Sequence, residues 1–149
     1  MIKSAFSKLK KEKPKPSELS PYRRGLYYED VVCRWLKSRG YRILDRNLRN
    51  RKRGELDIVA KDGDTLVFVE VKARQFMSSH LPLKSIHPAK RQKILYAARN
   101  YLWQLQDMGV RTDMLSVRYG VVSLSFDEEG NPVALDHYVS YMVARNEDF

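Results

Sequence analysis

The sequence predicts a single α/β domain over residues 23–143, with its elements in the order α-β-β-β-α-β-β. The chain has 149 residues, of which 43% are hydrophobic, and these values suit one globular domain. Two segments carry apolar residues at helical spacing, and the segments between and after them have the alternation or the β-branched composition of strands. A helix that separates two groups of strands favours an α/β domain over an all-β one.

The first helix is predicted over Arg23–Arg39, after a basic flexible tail formed by residues 1–22. The tail is rich in lysine and proline, a composition that disfavours helix and buries little apolar surface. In the helical segment, Val32 and Leu36 lie on one stripe. Gly40 suits the position just after the last helical residue.

Three strands are predicted next, and the last two form a hairpin. The strands are Tyr41–Asn47, Gly54–Ala60 and Thr65–Lys72, and a basic loop, Leu48–Arg53, joins the first two. The hairpin turn lies in Lys61–Asp64, which contains Asp-Gly, the strongest short signal for such a turn.

The second half of the chain is predicted to hold one helix and two strands. Pro88 suits the first turn of a helix, and apolar residues recur at helical spacing from there up to Gly109. Ser116–Phe126 is predicted as a strand, and Val133–Val143 as a last strand or mixed element. Residues 144–149 are predicted to form a C-terminal tail.

The charge of the chain is strongly basic and unevenly distributed. There are 28 Lys and Arg against 18 Asp and Glu, a net charge of +10, which predicts an anionic partner such as nucleic acid. The net charge is +8 over residues 23–53 and +6 over residues 73–111, but −3 over residues 54–72. Basic segments around a short acidic one are typical of an enzyme that holds phosphates beside a metal site.

Cysteine content and hydropathy restrict the class of protein further. Cys33 is the only cysteine, so no internal disulfide can form and a reducing cytoplasm is expected. No apolar run approaches the roughly 18 residues that a membrane helix requires. The N-terminus also lacks the apolar stretch of a secretory signal. We therefore expect a cytoplasmic protein with no membrane partner.

Alternation along the two hairpin strands predicts a cluster of carboxylates. Because successive side chains point to opposite faces of a strand, Glu55 and Asp57 share one face. A two-residue loop at Asp62-Gly63 places Asp57 opposite Phe68 and Glu55 opposite Glu70. In that register the three acids lie on one face, whereas a slip of one residue would separate them.

The predicted carboxylate cluster suits a divalent cation. Carboxylates held close together repel and raise one another's pKa, and a bound cation removes that cost. Oxygen ligands favour Mg²⁺ or Mn²⁺ over zinc, so Asp57, Glu70 and Glu55 are the predicted metal ligands. Glu55 suits a supporting or solvent-exposed role equally well. Lys72 can orient an attacking water or stabilise charge that develops on phosphate.

Other charged residues are candidates for the same site. Glu29 lies on the buried stripe of the first helix, where an acid needs a partner, although interaction with the helix dipole explains it equally well. Lys90, near the start of the second helix, can point at phosphate or into solvent. The predicted nucleic-acid-binding residues are Arg46, Arg49, Arg51, Lys52, Arg53, Arg74 and Lys90.

These motifs resemble a family of nucleases. The pattern formed by Glu29, GELD at residues 54–57 and FVEVK at residues 68–72 resembles the PD-(D/E)xK nuclease superfamily. More closely, it resembles the bacterial YraN-type (UPF0102) family, which is related to archaeal Holliday-junction resolvases. The resemblance covers about residues 23–142 and includes Arg118-Tyr119.

The resemblance implies a restriction-endonuclease-like fold, with a mixed central sheet flanked by helices. It implies that Asp57 and Glu70 bind the metal, that Lys72 is the catalytic lysine and that Glu29 is the acid supplied by the helix. It further implies hydrolysis of phosphodiester bonds, with branched or damaged DNA rather than RNA as the expected substrate. The relation to resolvases that act as dimers adds a homodimer to the expectations.

Two positions depart from the family's pattern. Tyr28 stands where a Gly commonly precedes the helix Glu, which bears on how the helix approaches the sheet. Gly120 stands where an Asp commonly follows Arg118-Tyr119, so this strand lacks that acid. Neither position belongs to the predicted site.

Two other functions are alternatives to a nuclease. A non-catalytic nucleic-acid-binding protein on the same scaffold would bind in a salt-sensitive way that Asp57→Asn does not alter. A ribosome- or protein-interaction adaptor would use its charge for an acidic partner and would bind no nucleic acid at low salt.

Overall fold

A computed structural model describes residues 13–50, 54–76 and 88–142, and confirms the predicted order of elements. The five strands are β1 (Arg42–Asn50), β2 (Gly54–Asp62), β3 (Thr65–Gln75), β4 (Ser116–Phe126) and β5 (Pro132–Met142). The helices are α1 (Pro21–Ser38) and α2 (Pro88–Asp107), with 3₁₀ turns at Pro16–Glu18 and Thr112–Met114.

The strands form one mixed sheet in the order β1-β2-β3-β4-β5. Strands β3 and β4 are parallel, and the other neighbouring pairs are antiparallel. Parallel neighbours need a long crossover between them, and α2 lies in that crossover. A mixed sheet flanked by helices is the fold class that the sequence predicts, and it is consistent with a restriction-endonuclease-like fold.

Helix α1 packs on the sheet through the stripe that its sequence predicts. Val32 and Leu36 are fully buried against Val67 and Val69 of β3. The helix ends where Gly40 adopts a left-handed φ of 89°. The amides of the two residues after the C-cap then donate to carbonyls of the last helical turn, the arrangement of a Schellman motif.

Helix α2 packs on a second cluster of apolar residues. Ile94, Leu95 and Ala98 of this helix are buried together with Phe68 of β3 and Val59 of β2. The successive side chains of β3 therefore reach two different clusters, one with each helix, as alternation requires. Neither helix in the described part of the chain has the length and apolarity needed to cross a membrane.

Among the described residues, helical structure occurs within the segment that is predicted as a tail. Helix α1 starts at Pro21 rather than Arg23, because proline is pre-organised for a first helical turn. Ser20 caps the helix, and its hydroxyl accepts a hydrogen bond from the Arg23 amide at 3.3 Å. Before it, Pro16 is buried, and the Ser17 amide donates to the Glu129 carbonyl at 3.0 Å.

Two strands run further than predicted. Strand β1 extends through Asn50, and so includes half of the predicted loop, where Leu48, Arg49 and Asn50 pair with β2. Strand β3 extends to Gln75, where it continues to pair with β4. The uncertain last element is a strand, β5, which pairs antiparallel to β4.

The hairpin register differs from the predicted one by two residues. Asp62 pairs with Thr65, and Val59 with Phe68, so the two loop residues are Gly63 and Asp64. A loop at Asp62-Gly63 would place a left-handed φ on an aspartate, whereas the observed loop gives φ +57° to Gly63, which glycine adopts without steric cost. A shift of two residues keeps every side chain on its predicted face.

Both departures from the family pattern have a structural role. The Tyr28 ring stacks on Phe126 at 5.0 Å between centroids, and its hydroxyl donates to the Gly130 carbonyl at 2.9 Å. Tyr28 therefore attaches α1 to the turn between β4 and β5. A Cβ at Gly120 would lie 3.3 Å from the carbonyl oxygen of Tyr138, so β4 and β5 approach closely there.

Candidate active site

The backbone ladder between β2 and β3 ends where the predicted carboxylates begin. The last backbone pair is Ile58 with Val69. One residue further, the Asp57 carboxylate takes the place of a backbone acceptor, and its Oδ2 accepts a hydrogen bond from the Val71 amide at 2.8 Å. Asp57 is only 7% exposed. Burial raises the pKa of its carboxyl above the ordinary value, although the Val71 amide and Lys90 act against that rise.

Glu70 is buried beside Asp57 in an environment that disfavours a negative charge. The residue is 6% exposed. Burial, together with repulsion from Asp57, raises the pKa of its carboxyl to about 8, even though Lys90 opposes this rise. Its Oε2 is buried without a hydrogen-bond partner among the described residues. A carboxyl pair of this kind binds a proton or a cation in place of the missing donor.

Lys90 reaches this pair from the first turn of α2. Its ammonium lies 3.1 Å from Oε1 of Glu70 and 3.2 Å from Oε2 of Glu55. Burial alone would lower the pKa of Lys90, but the two carboxylates outweigh burial and raise it above the ordinary value. The cluster therefore holds Glu55, Asp57, Glu70 and Lys90, and two of the three acids share one ammonium.

Lys72 is the residue of β3 that the sequence predicts as the catalytic lysine. It follows Glu70 by two residues on β3, is half-buried, and stands opposite Ser123 in the register with β4. Within the described residues, its ammonium forms no ion pair with Asp57 or Glu70. Neither Asp57 nor Glu70 therefore neutralises the charge of Lys72, which follows Glu70 on β3.

Glu29 is buried on α1, as its helical stripe predicts. It is 7% exposed and lies two turns into α1, beyond the first turn in which the helix dipole acts on an acid. Its Oε2 is buried without a hydrogen-bond partner among the described residues. Its membership of the same site stays a prediction.

The predicted phosphate-binding residues are only partly covered by the structure. Arg46 is partly buried and its guanidinium pairs with Asp30 at 3.2 Å, so this charge is already engaged within the fold. The backbone of Arg49 belongs to β1, and Arg74 is half-buried near the end of β3. Arg51, Lys52 and Arg53 lie outside the described residues.

The donor chemistry of the cluster fits a hard divalent cation. Its three acids supply only oxygen atoms, the ligands that Mg²⁺ and Mn²⁺ prefer, and Oε2 of Glu70 is buried without a partner. In the part of the chain that the structure covers, no three acids, histidines or cysteines are arranged to enclose an ion. The ammonium of Lys90 lies between Glu55 and Glu70.

The sequence reasoning missed the position of Lys90. It allowed this residue to face phosphate or solvent, whereas the structure places its ammonium among the carboxylates. The four-residue spacing to buried Ile94 allows Lys90 to point at phosphate, and the seven-residue spacing to buried Ala97 is the further signal that it lies on the face of α2 that packs on the sheet. A lysine at the end of a buried stripe extends its charge towards the nearest acids.

A family model and several relatives match this chain. The model is described as "Uncharacterised protein family UPF0102" and matches residues 28–123, which include the carboxylate cluster and α2. A UPF0102 protein of Anaeromyxobacter dehalogenans is 38% identical over 110 residues, which cover 74% of this chain and 76% of the relative.

In two further relatives, the matched region is a larger share of the relative's own length. A UPF0102 protein of Syntrophus aciditrophicus is 40% identical over 113 residues, or 76% of this chain and 84% of the relative. A UPF0102 protein of Chlorobium phaeobacteroides is 34% identical over 122 residues, or 79% of this chain and 91% of the relative. The shared region therefore spans most of the described fold.

Proposed function

The chain belongs to the UPF0102 family, and on that premise we propose that it binds nucleic acid and is a metal-dependent endonuclease. Its reaction is the hydrolysis of phosphodiester bonds, with branched or damaged DNA as the substrate. The observation that carries the proposal is the buried carboxyl pair of Asp57 and Glu70 at the end of a hairpin, where the pKa of Glu70 is raised to about 8.

A purely structural role does not account for this pair. Two acids that are 7% and 6% exposed weaken the fold, because burial of an ionised carboxylate is costly and apolar residues of similar size would serve the core better. Strongly perturbed acids with a specific charge partner are typical of functional sites. The pair thus supports a site that binds a cation.

Each residue of the cluster has a separate role in hydrolysis. A Mg²⁺ or Mn²⁺ ion, when bound, lowers the pKa of a coordinated water and stabilises charge on the phosphate. Asp57 and Glu70 hold this ion, and the Val71 amide orients Asp57 for it. Lys72 positions the attacking water or stabilises the developing negative charge. Glu55 supports the ion, and Glu29 remains the candidate for the acid supplied by the helix.

The positive charge of the chain supplies the affinity for the substrate. The net charge of +10 attracts a polyanion and releases counterions from its phosphates. In the sequence, Arg49 and the basic segment at residues 51–53 precede β2, and Arg74 lies near the end of β3. We expect these residues to contact the backbone of the nucleic acid.

Cleavage assays on labelled duplex, branched and nicked DNA, with Mg²⁺ or Mn²⁺, test this proposal. We expect cleavage that EDTA abolishes and that falls by at least about 100-fold in Asp57→Asn, Glu70→Gln and Lys72→Met, the scale of a lost charge-stabilising group. Asp64→Asn, in the exposed turn of the same hairpin, is the matched control and should cleave normally. Absence of cleavage of every DNA and RNA form with either metal would contradict the proposal.

One observation favours a non-catalytic nucleic-acid-binding protein as the second candidate. Lys90 already neutralises part of the acid cluster, which allows the site to be stable without an ion. Calorimetry with Mn²⁺ separates the two candidates. If the protein is a nuclease, it has a divalent-ion site that Glu70→Gln abolishes. If it is the second candidate, it needs no divalent-ion site, and the Asp57→Asn variant binds DNA as tightly as the wild type does.

A further inference from the structure

We propose that Lys90 is an internal counter-ion that competes with the divalent cation for Glu70 and Glu55, and that the displaced ammonium then binds a phosphate of the substrate. Binding of the cation and binding of nucleic acid would then strengthen one another. The inference rests on the proposed function, because it describes how the same site is regulated.

The geometry places the ammonium where it blocks the ligands. Lys90 bridges two acids at once, at 3.1 Å from Glu70 and 3.2 Å from Glu55. It thereby occupies one oxygen of each acid and leaves Oε2 of Glu70 buried without a partner. An ion that took all three acids would therefore have to replace the ammonium at Glu70 and Glu55.

Electrostatics makes the two occupants mutually exclusive. An ammonium and a divalent cation within a few ångströms repel strongly where burial limits screening by water. A doubly charged ion carries twice the charge of the Lys90 ammonium, so it balances the carboxylates of the cluster better than Lys90 does. The competition therefore ends with Lys90 outside the carboxylate cluster whenever the cation is bound.

Lys90 is free to make this movement without a change of the backbone. It is the third residue of α2, and 26% of its side chain is exposed, so four rotatable bonds can carry the ammonium towards solvent. In that position the ammonium of Lys90 can contact a phosphate of a bound nucleic-acid strand. The cation displaces Lys90 and the phosphate then binds it, so the binding of either ligand raises the affinity for the other.

The first test compares Lys90→Met with Lys93→Met, an exposed lysine one turn further along α2. In calorimetry with Mn²⁺ and full-length protein, we expect Lys90→Met to bind the ion about 10-fold more tightly than the wild type, because its competitor is gone. Lys93→Met should bind as the wild type does. Equal or weaker Mn²⁺ binding by Lys90→Met overturns the proposal.

The second test measures coupling to DNA by fluorescence anisotropy, with Ca²⁺ as the divalent ion. Ca²⁺ should raise the affinity of the wild type and of Lys93→Met for duplex DNA several-fold, and should raise that of Lys90→Met far less. An equal effect of Ca²⁺ on all three proteins contradicts the transfer of Lys90 to phosphate.

A third measurement on the wild type covers the case in which Lys90→Met does not fold. NMR of lysine labelled at Cε should show that Ca²⁺ shifts the Lys90 signal and leaves the Lys93 signal in place. If calorimetry shows that the ion is bound and the Lys90 signal still does not shift, the inference is wrong but the proposed nuclease is not affected. A wild type with no divalent-ion site overturns both this inference and the proposed nuclease.

Discussion

At the scale of single residues, the charge on Glu70 is the most costly feature of the cluster. The folded protein holds the pKa of Glu70 at about 8, against an ordinary value of 4.5. Between these two pH values the folded state binds a proton that the unfolded chain has lost. Stability therefore falls as pH rises through this window, and the raised pKa of Asp57 acts in the same direction.

We predict that Glu70→Gln removes most of this pH dependence. In EDTA, the free energy of unfolding of the wild type should decrease between pH 5 and pH 8, with a maximal slope of about 1.4 kcal/mol per pH unit for one proton. Urea unfolding at a series of pH values measures the slope. Glu128→Gln, at an exposed acid in the turn before β5, should keep the slope of the wild type. A wild-type stability that rises steadily over this range contradicts the buried-acid account.

Tyr28 carries a second prediction at the residue scale. Its buried hydroxyl donates to the Gly130 carbonyl at 2.9 Å, so Tyr28→Phe leaves that acceptor without its partner. We expect a loss of about 1 kcal/mol in the free energy of unfolding, measured as a lower urea midpoint with an unchanged m-value. Tyr22→Phe, at a tyrosine that is 64% exposed, should change the midpoint little. Equal midpoints for both variants would show that the hydroxyl contributes nothing.

At the scale of elements, the β2–β3 hairpin decides whether the acids meet. Its register depends on the loop at Gly63, where φ is +57°, a conformation that costs other residues about 1 kcal/mol. The carboxylate face depends on that loop, because a slip of one residue would turn Asp57 away from Glu70.

We predict opposite effects of the same substitution at two glycines. Gly63→Ala should lower the free energy of unfolding by about 1 kcal/mol, since alanine is strained at this φ. Gly25→Ala should raise it by up to about 1 kcal/mol, since Gly25 lies within α1 and a Cβ there meets no atom within 4 Å. Thermal unfolding of both variants checks the pair. Equal shifts in the same direction would contradict this account of the loop.

The position of α2 is the second element-scale determinant of the site. Ile94 and Ala98 fix one face of the helix on the sheet, and that contact determines where Lys90 points. Apolar packing several residues away thus brings Lys90 within reach of Glu55 and Glu70 on the hairpin. Reasoning from the hairpin alone therefore could not place it.

At the scale of the whole molecule, the uneven charge predicts where nucleic acid binds. Arg74 follows Glu70 by four residues on β3, whereas Arg111 lies beyond the far end of α2, roughly 25 Å along the helix at 1.5 Å per residue. Arg111 also pairs with Asp113 at 3.0 Å. The end of the molecule that holds the acids is the end expected to contact phosphates.

We predict that the affinity for duplex DNA falls steeply with salt and depends on one end of the molecule. Removal of one phosphate contact reduces the slope of log affinity against log salt by about 0.9, and Arg74→Gln should show this change. Arg111→Gln is the matched control and should keep the slope of the wild type. Fluorescence anisotropy at several salt concentrations makes the measurement, and a lower slope for Arg111→Gln alone would place the interface elsewhere.

Much of the fold and of the candidate site followed from local patterns in the sequence. The element order, the buried stripe of α1 and the faces of β2 and β3 depend on periodicities of 3.6 and 2 residues. Helix α1 starts two residues before its predicted start, at Pro21 with Ser20 as the cap, because the lysine- and proline-rich composition predicts a tail up to residue 22. The hairpin register was wrong by two residues because both registers satisfy the same alternation.

The sequence by itself determined which residues share a face, because side-chain direction repeats with the backbone and needs no distant contact. It therefore predicted Asp57, Glu70 and Lys72 as neighbours. Only the tertiary structure decided the electrostatic state of that face. The burial that raises the pKa of Glu70 and the ammonium of Lys90 beside it arise where α2 packs on the sheet, and such long-range contacts leave no periodic signal in the hairpin.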